Sequence, residues 1–142
     1  MLTRVLFAAF LIASIFGLPG GALAQDTTVV ALGLADHPVS EAELEGGATL
    51  ATPKSDTAGV AYVLVAHARK GDKIEVHLAK DGKSLMHNVR ELEADEDGVL
   101  LQAGKTGVPA GGWPKGSYTA KVTVTRGGES IAEQETDGIP FE

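Results

Sequence analysis

The sequence predicts an all-β protein, an antiparallel β-sandwich of about seven short strands. Three observations support this fold class. Strand-like segments recur at intervals of roughly 8–12 residues, the clearest of them alternate apolar and polar side chains, and turn-forming residues separate them. Beyond residue 25, no stretch has the apolar spacing of a helix of ordinary length. The 142 residues include no cysteine, so packing rather than disulfide bonds must stabilise such a domain.

The first 24 residues have the pattern of a signal peptide. Arg4 precedes an apolar run over residues 5–18, and Ala22-Leu23-Ala24 supplies the small residues of a cleavage site. The apolar run is shorter than the roughly 17–25 residues that a membrane-spanning helix needs, so an uncleaved anchor is the less favoured alternative. We therefore predict a signal peptide over residues 1–24 and one domain over residues 25–142. The mature chain is expected in the periplasm, or secreted, with no membrane anchor.

Acidic residues outnumber basic residues, 19 to 12, and the formal net charge is -7. A nucleic-acid-binding surface needs a basic patch that neutralises phosphates, and none is visible, so nucleic acid is not an expected partner. The lack of cysteine excludes Cys-ligated zinc or iron–sulfur sites, thiol enzymes, and a lipid anchor on an N-terminal cysteine.

The first strand and a long connection follow the signal peptide. The strand is predicted over residues 26–35, where β-branched side chains are frequent. Residues 38–59 form the connection, in which Ser40 and Glu43 have the spacing of a capping box. The box favours one helical turn ended by a glycine pair, although an irregular loop fits equally well. A connection of this length is usually either functional or flexible.

Two hairpins are predicted in the middle of the chain. A strand over residues 60–69 is followed by a turn over residues 70–72 and an alternating strand over residues 73–80. Asp81-Gly82 is a strong signal for a two-residue hairpin turn and leads into a strand over residues 83–92.

Alternation separates the two faces of the strand over residues 73–80. Ile74, Val76 and Leu78 are predicted to point into the core, with the residues between them outward. A two-residue turn predicts the pairs Leu78–Leu85, Val76–His87 and Ile74–Val89 in the second hairpin.

The last third of the chain begins with a short strand over residues 99–103 and a glycine- and proline-rich corner over residues 104–116. Residues 118–126 then alternate without a fault. A Gly-Gly turn leads to a final strand over residues 129–136, whose polar end is typical of an edge strand. The predicted inward residues of the alternating strand are Tyr118, Ala120, Val122 and Val124.

The segment Trp113-Pro114-Lys115-Gly116-Ser117-Tyr118, followed by strand, Gly-Gly turn and strand, resembles the end of many bacterial extracytoplasmic immunoglobulin-like and fibronectin-III-like modules. The hairpins between residues 70 and 83 are similar to the central ones of these modules, and the likeness covers residues 60–136. It implies an immunoglobulin-like β-sandwich in which Tyr118 forms a tyrosine corner. The core tryptophan that such modules often carry is missing from the strand that here reads Val76-His77-Leu78. The resemblance concerns architecture and implies no particular ligand.

Histidines suggest one candidate metal site. If the turn of the first hairpin has three residues, His67 and His77 become diagonal neighbours on one outer face, with Glu75 and Met86 beside His77. Imidazole and thioether ligands suit copper and zinc, so a small periplasmic copper- or zinc-binding protein is the alternative function. His87 points to the other face in this register. A two-residue turn would dissolve the cluster, and exposed histidines without metal are the favoured reading.

Catalytic and calcium-binding motifs are poorly represented. The acidic run at residues 95–98 lacks the third acidic position and the final bidentate glutamate of a calcium loop. No serine lies in a nucleophile elbow, the carboxylates lie in predicted turns, and the glycine-rich corner lacks the Lys-Ser/Thr ending of a phosphate loop. We therefore expect no enzyme and no cofactor.

The glycine- and proline-rich corner is the best candidate for contact with a partner. Trp113, with Val108, Pro109 and Tyr118, would form an aromatic anchor of the kind found at binding hot spots. The favoured alternative is that Trp113 folds back over the open end of the sandwich. The leading expectation is a non-catalytic exported accessory module. It would bind a protein of the periplasm or cell envelope through a sheet edge or this corner. Glutamates on the last strand discourage self-pairing, so we expect a monomer.

Overall fold

The computed structural model describes residues 26–47 and 49–142, so the predicted signal peptide lies outside the described residues. Among the described residues, no helix has the length and apolar character needed to cross a bilayer. The elements are β1 Thr28–Ala35, α1 Glu41–Glu45, β2 Gly59–Ala68, β3 Asp72–Lys80, β4 Lys83–Glu91, β5 Glu96–Lys105, β6 Tyr118–Arg126 and β7 Glu129–Glu135.

The strands form two antiparallel sheets. One sheet has the order β1-β2-β5 and the other the order β4-β3-β6-β7. Buried apolar side chains from both sheets make one core cluster. The predicted all-β antiparallel sandwich of about seven strands is confirmed.

Alternation predicted the inward faces of β3 and β6 correctly. Each inward side chain of these strands has 0% of its surface exposed. Full burial of an aliphatic side chain of this size contributes about 1.5–3 kcal/mol to folding. The confirmed residues are Ile74, Val76, Leu78, Tyr118, Ala120, Val122 and Val124.

The predicted hairpin between β2 and β3 is wrong. A tight turn does exist, with Gly71 at a φ of 90°. However, β2 lies in the three-stranded sheet and β3 in the four-stranded sheet, so this turn crosses from one sheet to the other. The crossing is stabilised by Asp72, whose backbone N–H donates to the carbonyl of Arg69 at 2.9 Å and whose carboxylate is buried.

Asp72 and its partners close this end of the sandwich. The carboxylate accepts hydrogen bonds from Nε of Arg126 at 2.7 Å, from its Nη2 at 2.9 Å, and from the backbone N–H of Arg69 at 2.9 Å. Thr27, next to β1, lies 2.9 Å from the Arg126 guanidinium and donates to the carbonyl of His67 at 2.8 Å. This Asp72 cluster, made of Asp72, Arg126, Thr27 and Arg69, joins the beginning of β1 to the ends of β2 and β6.

The predicted two-residue hairpin between β3 and β4 is confirmed. Asp81 and Gly82 have φ values of 51° and 85°, the positive angles that a type I′ turn requires. The predicted register holds at the turn and is wrong by one residue farther along. Leu85 is unpaired, so Leu78 faces Met86 and His77 faces His87. An extra residue of this kind is a β-bulge, which the local turn signal does not predict.

Three edge strands each carry one bulge of this type. The register skips Val30 in β1, Leu85 in β4 and Ile131 in β7. Their side chains are 58%, 44% and 39% exposed, respectively. Because an unpaired residue is released from the inward–outward alternation of its strand, an aliphatic side chain at a bulge need not enter the core.

The long connection between β1 and β2 contains the predicted helical turn. Ser40 Oγ accepts the Glu43 N–H at 3.2 Å, and the Ser40 N–H donates to the Glu43 carboxylate at 3.0 Å, which confirms the capping box. Val39 is buried, and both its backbone groups bond to the Gln102 side chain, at 2.6 and 2.9 Å. These bonds hold the connection against β5.

Candidate functional site

Trp113 lies at the end of the core rather than on the surface. Its side chain is 5% exposed, and its indole N–H donates to the carbonyl of Thr57 at 2.8 Å. The ring meets Tyr118 and Phe141 edge-on, with centroids 5.9 and 5.5 Å away. Gly59 makes room for it, because a Cβ there would lie 2.8 Å from the indole. The prediction that Trp113 caps the open end is confirmed, and its side chain is not accessible as a surface anchor.

Tyr118 is equally inaccessible. It is fully buried, its hydroxyl donates to the backbone carbonyl of Pro114, and its ring stacks on Phe141 with centroids 3.9 Å apart. This is the hydrogen bond expected of a tyrosine corner. Burial raises the pKa of Tyr118. Among the residues predicted to contact a partner, Val108 is 47% exposed and Pro109 is half-buried.

A cleft of about 700 Å³ lies beside this cap. Its volume is within the range of small-molecule sites, roughly 300–1,000 Å³. The edges of Trp113 and Phe141 form an apolar floor, and Lys115 and Glu142 supply charges of opposite sign. The floor consists of capping residues, so changes to it would disturb the core as well as the cleft. The residues lining it include Ser55, Trp113, Pro114, Lys115, Phe141 and Glu142.

The structure separates the residues of the predicted metal site. His67 lies on β2 and His77 on β3, in different sheets, because the turn between these strands crosses the sandwich. Met86 faces Leu78 and packs against the core, because the bulge at Leu85 moved it to the inner face. Only Glu75 stays beside His77, with Oε2 at 3.1 Å from Nε2. In residues 26–47 and 49–142, no three His, Asp or Glu side chains are placed to hold a metal ion.

His77 instead belongs to a different network. Its Nδ1 lies 2.7 Å from the hydroxyl of Ser84, and its ring stacks on His87 with centroids 5.4 Å apart. The expectation that His87 points to the opposite face is therefore wrong, again because of the bulge. Sequence reasoning missed Ser84, although the two-residue turn places it opposite Ala79, on the outward face of β3. The register of this turn would therefore have been enough to predict that Ser84 lies near His77.

His37 forms a second ionisable network. Its Nδ1 lies 2.8 Å from the Asp36 carboxylate and its Nε2 lies 2.8 Å from the Glu43 carboxylate. These two hydrogen bonds, with Asp36 the larger influence, raise the pKa of His37. The backbone of Ser40 and then His37 lower the pKa of Glu43. The network fastens α1 to the end of β1.

The edge strands β1 and β7 run along one side of the sandwich. Thr27, which precedes β1, bonds to Arg126 at the end of β6, and β7 begins just after Arg126. Both strands therefore start at the same end and run in the same direction. Val30 and Ile131 are both exposed near that end. We define the β1–β7 margin by Val30 and Ile131 together with the exposed glutamates Glu129 and Glu133.

The opposite side of the sandwich is bridged by side chains. Asn88 on β4 donates to the carbonyl of Gln102 on β5 at 3.0 Å. Arg90 on β4 forms an ion pair with Glu96 on β5. Asn88 also accepts the Val89 N–H at 3.0 Å, so a backbone group of this edge is occupied by a side chain. A new strand would have to displace these contacts.

Comparison with known proteins adds no assignment. No family model matches the chain, and a search of curated proteins found no match. The function is therefore inferred from the geometry.

Proposed function

We propose that this chain is an exported binding module of the immunoglobulin-like class, periplasmic or secreted, that engages a protein partner through the β1–β7 margin. The observation that carries the proposal is the pair of exposed aliphatic side chains, Val30 and Ile131, on adjoining edge strands. Export is supported by the signal-peptide pattern of residues 1–24. The class is supported by the two antiparallel sheets and by the hydrogen bond of Tyr118.

The margin favours contact through side chains rather than through added backbone pairing. Bulges and charged side chains are the features that keep an edge strand from accepting another strand. β1 and β7 both have a bulge, and β7 carries Glu129, Glu133 and Glu135. Two copies of this chain would bring these glutamates together, so the same features support a monomer.

The charge of the margin indicates what kind of partner fits it. Glu129 and Glu133 are exposed near Ile131, with Glu133 in an ion pair with Lys121 at 3.4 Å, and the whole chain has a net charge of -7. A complementary surface has an apolar centre flanked by lysine or arginine, because opposite charges speed encounter and exclude wrong partners. The partner is therefore a protein with a basic, partly apolar surface, and its binding weakens as the salt concentration rises.

The proposal is tested by capture of a partner from an envelope extract with the mature chain as bait. Val30→Lys and Ile131→Lys should each lose the captured protein, because a lysine removes the apolar contact and repels a basic surface. Leu85→Lys is the matched control, since Leu85 is also an exposed aliphatic residue at a bulge but lies on β4. It should retain the protein.

A fourth variant separates the margin from the cleft beside Trp113. Lys115→Glu reverses a charge at the cleft without touching β1 or β7. Selective loss of the partner in this variant would move the contact to the cleft and overturn the assignment to the margin. Equal loss in Leu85→Lys and Ile131→Lys would also overturn it, as would failure of the unaltered chain to capture any protein.

A further inference from the structure

Three side chains form a line of close polar contacts on the outer face of the four-stranded sheet. Nε2 of His77 lies 3.1 Å from Oε2 of Glu75, and Nδ1 of His77 lies 2.7 Å from Oγ of Ser84. Glu75 and His77 share this face because they are two residues apart on β3. Ser84 joins them because it faces Ala79, the next outward position, across the Asp81-Gly82 turn.

The carboxylate determines where neutral His77 holds its proton. An ionised carboxylate has no hydrogen to donate, so its 3.1 Å contact with Nε2 favours the proton on that nitrogen. Nδ1 is then unprotonated and accepts the hydroxyl hydrogen of Ser84. A serine, an imidazole base and an acid that orients the base are the parts of a nucleophilic triad, with the two ring nitrogens exchanged relative to the serine proteases.

The surroundings leave room for a substrate. Ser84 is exposed, and a shallow cavity of about 280 Å³ next to it is lined by His77, Lys121 and Glu135, among others. His87 stacks on one side of the His77 ring. Lys121 lies across from His77 on β6, and its ammonium, in an ion pair with Glu133 at 3.4 Å, is a positive charge on the same face. A cavity of this size suits a small acyl group rather than a long chain.

We propose that Ser84 is an activated nucleophile that takes a small acyl group from an ester, with His77 as its general base and Glu75 as a positioning residue. This reactivity goes beyond the proposed binding function and does not depend on it. It also departs from the expectation of no enzyme, which rested in part on the lack of a nucleophile elbow. The geometry here comes from a hairpin instead.

The reaction proceeds in two balanced steps. Ser84 Oγ attacks the carbonyl carbon, its proton passes to Nδ1 of His77, and the alcohol leaves with that proton as its bond to the carbonyl carbon breaks. Water then attacks the acyl-serine, giving a proton to Nδ1, which returns it to Ser84 as the acid departs. Glu75 remains ionised throughout and stabilises the imidazolium, and Lys121, which lines the cavity, turns from its ion pair with Glu133 toward the developing oxyanion.

The test uses a fluorophosphonate probe, which reacts with activated serines, followed by peptide mapping of the label. We expect labelling of Ser84 in the mature protein and an acetyl adduct at Ser84 with p-nitrophenyl acetate. Ser84→Ala should abolish both, and Ser130→Ala, which removes an exposed serine on β7, should change neither. His77→Gln should lower the labelling rate about a hundredfold or more, the usual contribution of a general base.

Glu75 needs a measurement that a purely structural role would not affect. Glu75→Gln should slow labelling and Glu75→Asp should restore part of the rate, while both keep the melting temperature of the unaltered protein. Mapping of the label is essential, because an exposed imidazole such as that of His87 reacts with p-nitrophenyl acetate without help from serine. The proposal is overturned if Ser84 stays unlabelled, or if His77→Gln is labelled at the rate of the unaltered protein.

Discussion

Asp72 is a charged side chain with no exposed surface, and its hydrogen bonds explain how the fold accommodates it. The bond to Arg126 is the main reason why the pKa of the carboxyl group lies below its usual value of 3.8, and the Arg69 N–H adds to the effect. Burial acts in the opposite direction, because it raises the pKa. The net lowering means that the folded state prefers the ionised carboxylate. Asp72 is therefore a structural ion rather than a catalytic acid.

Asp72→Asn should destabilise the protein by about 2–3 kcal/mol, measured by urea unfolding at neutral pH. Loss of one partner of a buried ion pair costs roughly 3–5 kcal/mol, and solvent around the guanidinium reduces that cost. Arg126 has 39% of its side chain exposed, so this reduction applies. Asp97→Asn, at an exposed position, is the control and should change the stability by less than about 0.5 kcal/mol.

Acid should reduce the difference between the unaltered protein and Asp72→Asn. A group whose pKa is lower in the folded state stabilises the fold above its unfolded pKa and loses that contribution as pH falls through the folded pKa. Unfolding measured from neutral pH to well below 3.8 should therefore show the two stabilities converging. A constant difference across this range would contradict the role given to the carboxylate.

Tyr118→Phe should cost about 1 kcal/mol, because it removes one buried hydrogen bond and keeps the stacked ring. The carbonyl of Pro114 would lose its donor. Tyr62→Phe is the matched control. The described residues show no hydrogen bond from the Tyr62 hydroxyl, so Tyr62→Phe should change the stability of the protein by less than about 0.5 kcal/mol. Equal effects in the two variants, by thermal unfolding, would argue against the tyrosine corner.

At the scale of the elements, the bulges decide which aliphatic residues contribute to stability. Ile131→Thr and Leu85→Thr should change the free energy of unfolding by less than about 0.5 kcal/mol, since both side chains are exposed. Val76→Thr buries a hydroxyl at a position with 0% exposure and should cost about 1–3 kcal/mol. Urea unfolding of the three variants checks the ranking. Large losses at the bulges would show that these residues pack more tightly than their exposure implies.

Local sequence was sufficient to predict the strands and their inward faces. The alternation in β6 predicted its bounds as well as its core residues, because both follow from the two-residue period of a strand. Local sequence did not predict to which sheet each strand belongs. A tight turn such as that of residues 70–72 serves a hairpin or a crossing equally well, and here β3 pairs with the distant β6 rather than with β2.

The candidate sites were predicted less completely than the fold, for the same physical reason. Burial of Trp113 follows from its size and was predicted. The histidine cluster required two strands to be neighbours that are not, and it required a register without a bulge. The line from Glu75 to Ser84 involves one hairpin alone, so the sequence carried enough information to find it.

At the scale of the whole molecule, three connections cross between the sheets, β2 to β3, β4 to β5 and β5 to β6. Because of these crossings the two sheets are interleaved along the chain, and each sheet combines strands that are separated in sequence by strands of the other sheet. The pairs β3–β4 and β6–β7 are local hairpins, whereas Thr28 pairs with Ala66 and Gly59 with Lys105.

This interleaving has a consequence for the rate at which the chain folds. The hydrogen bonds between strands of the three-stranded sheet form only after long loops have closed. The chain therefore loses the entropy of those loops before it gains the energy of strand pairing. We expect refolding from urea on a timescale of about milliseconds to seconds, as for other sandwiches with non-local pairing. Stopped-flow tryptophan fluorescence is a suitable measurement, because Trp113 is the one tryptophan and reports closure of the cap. Substitutions in the β3–β4 hairpin, which involves no long loop, should change the folding rate more than substitutions in β1.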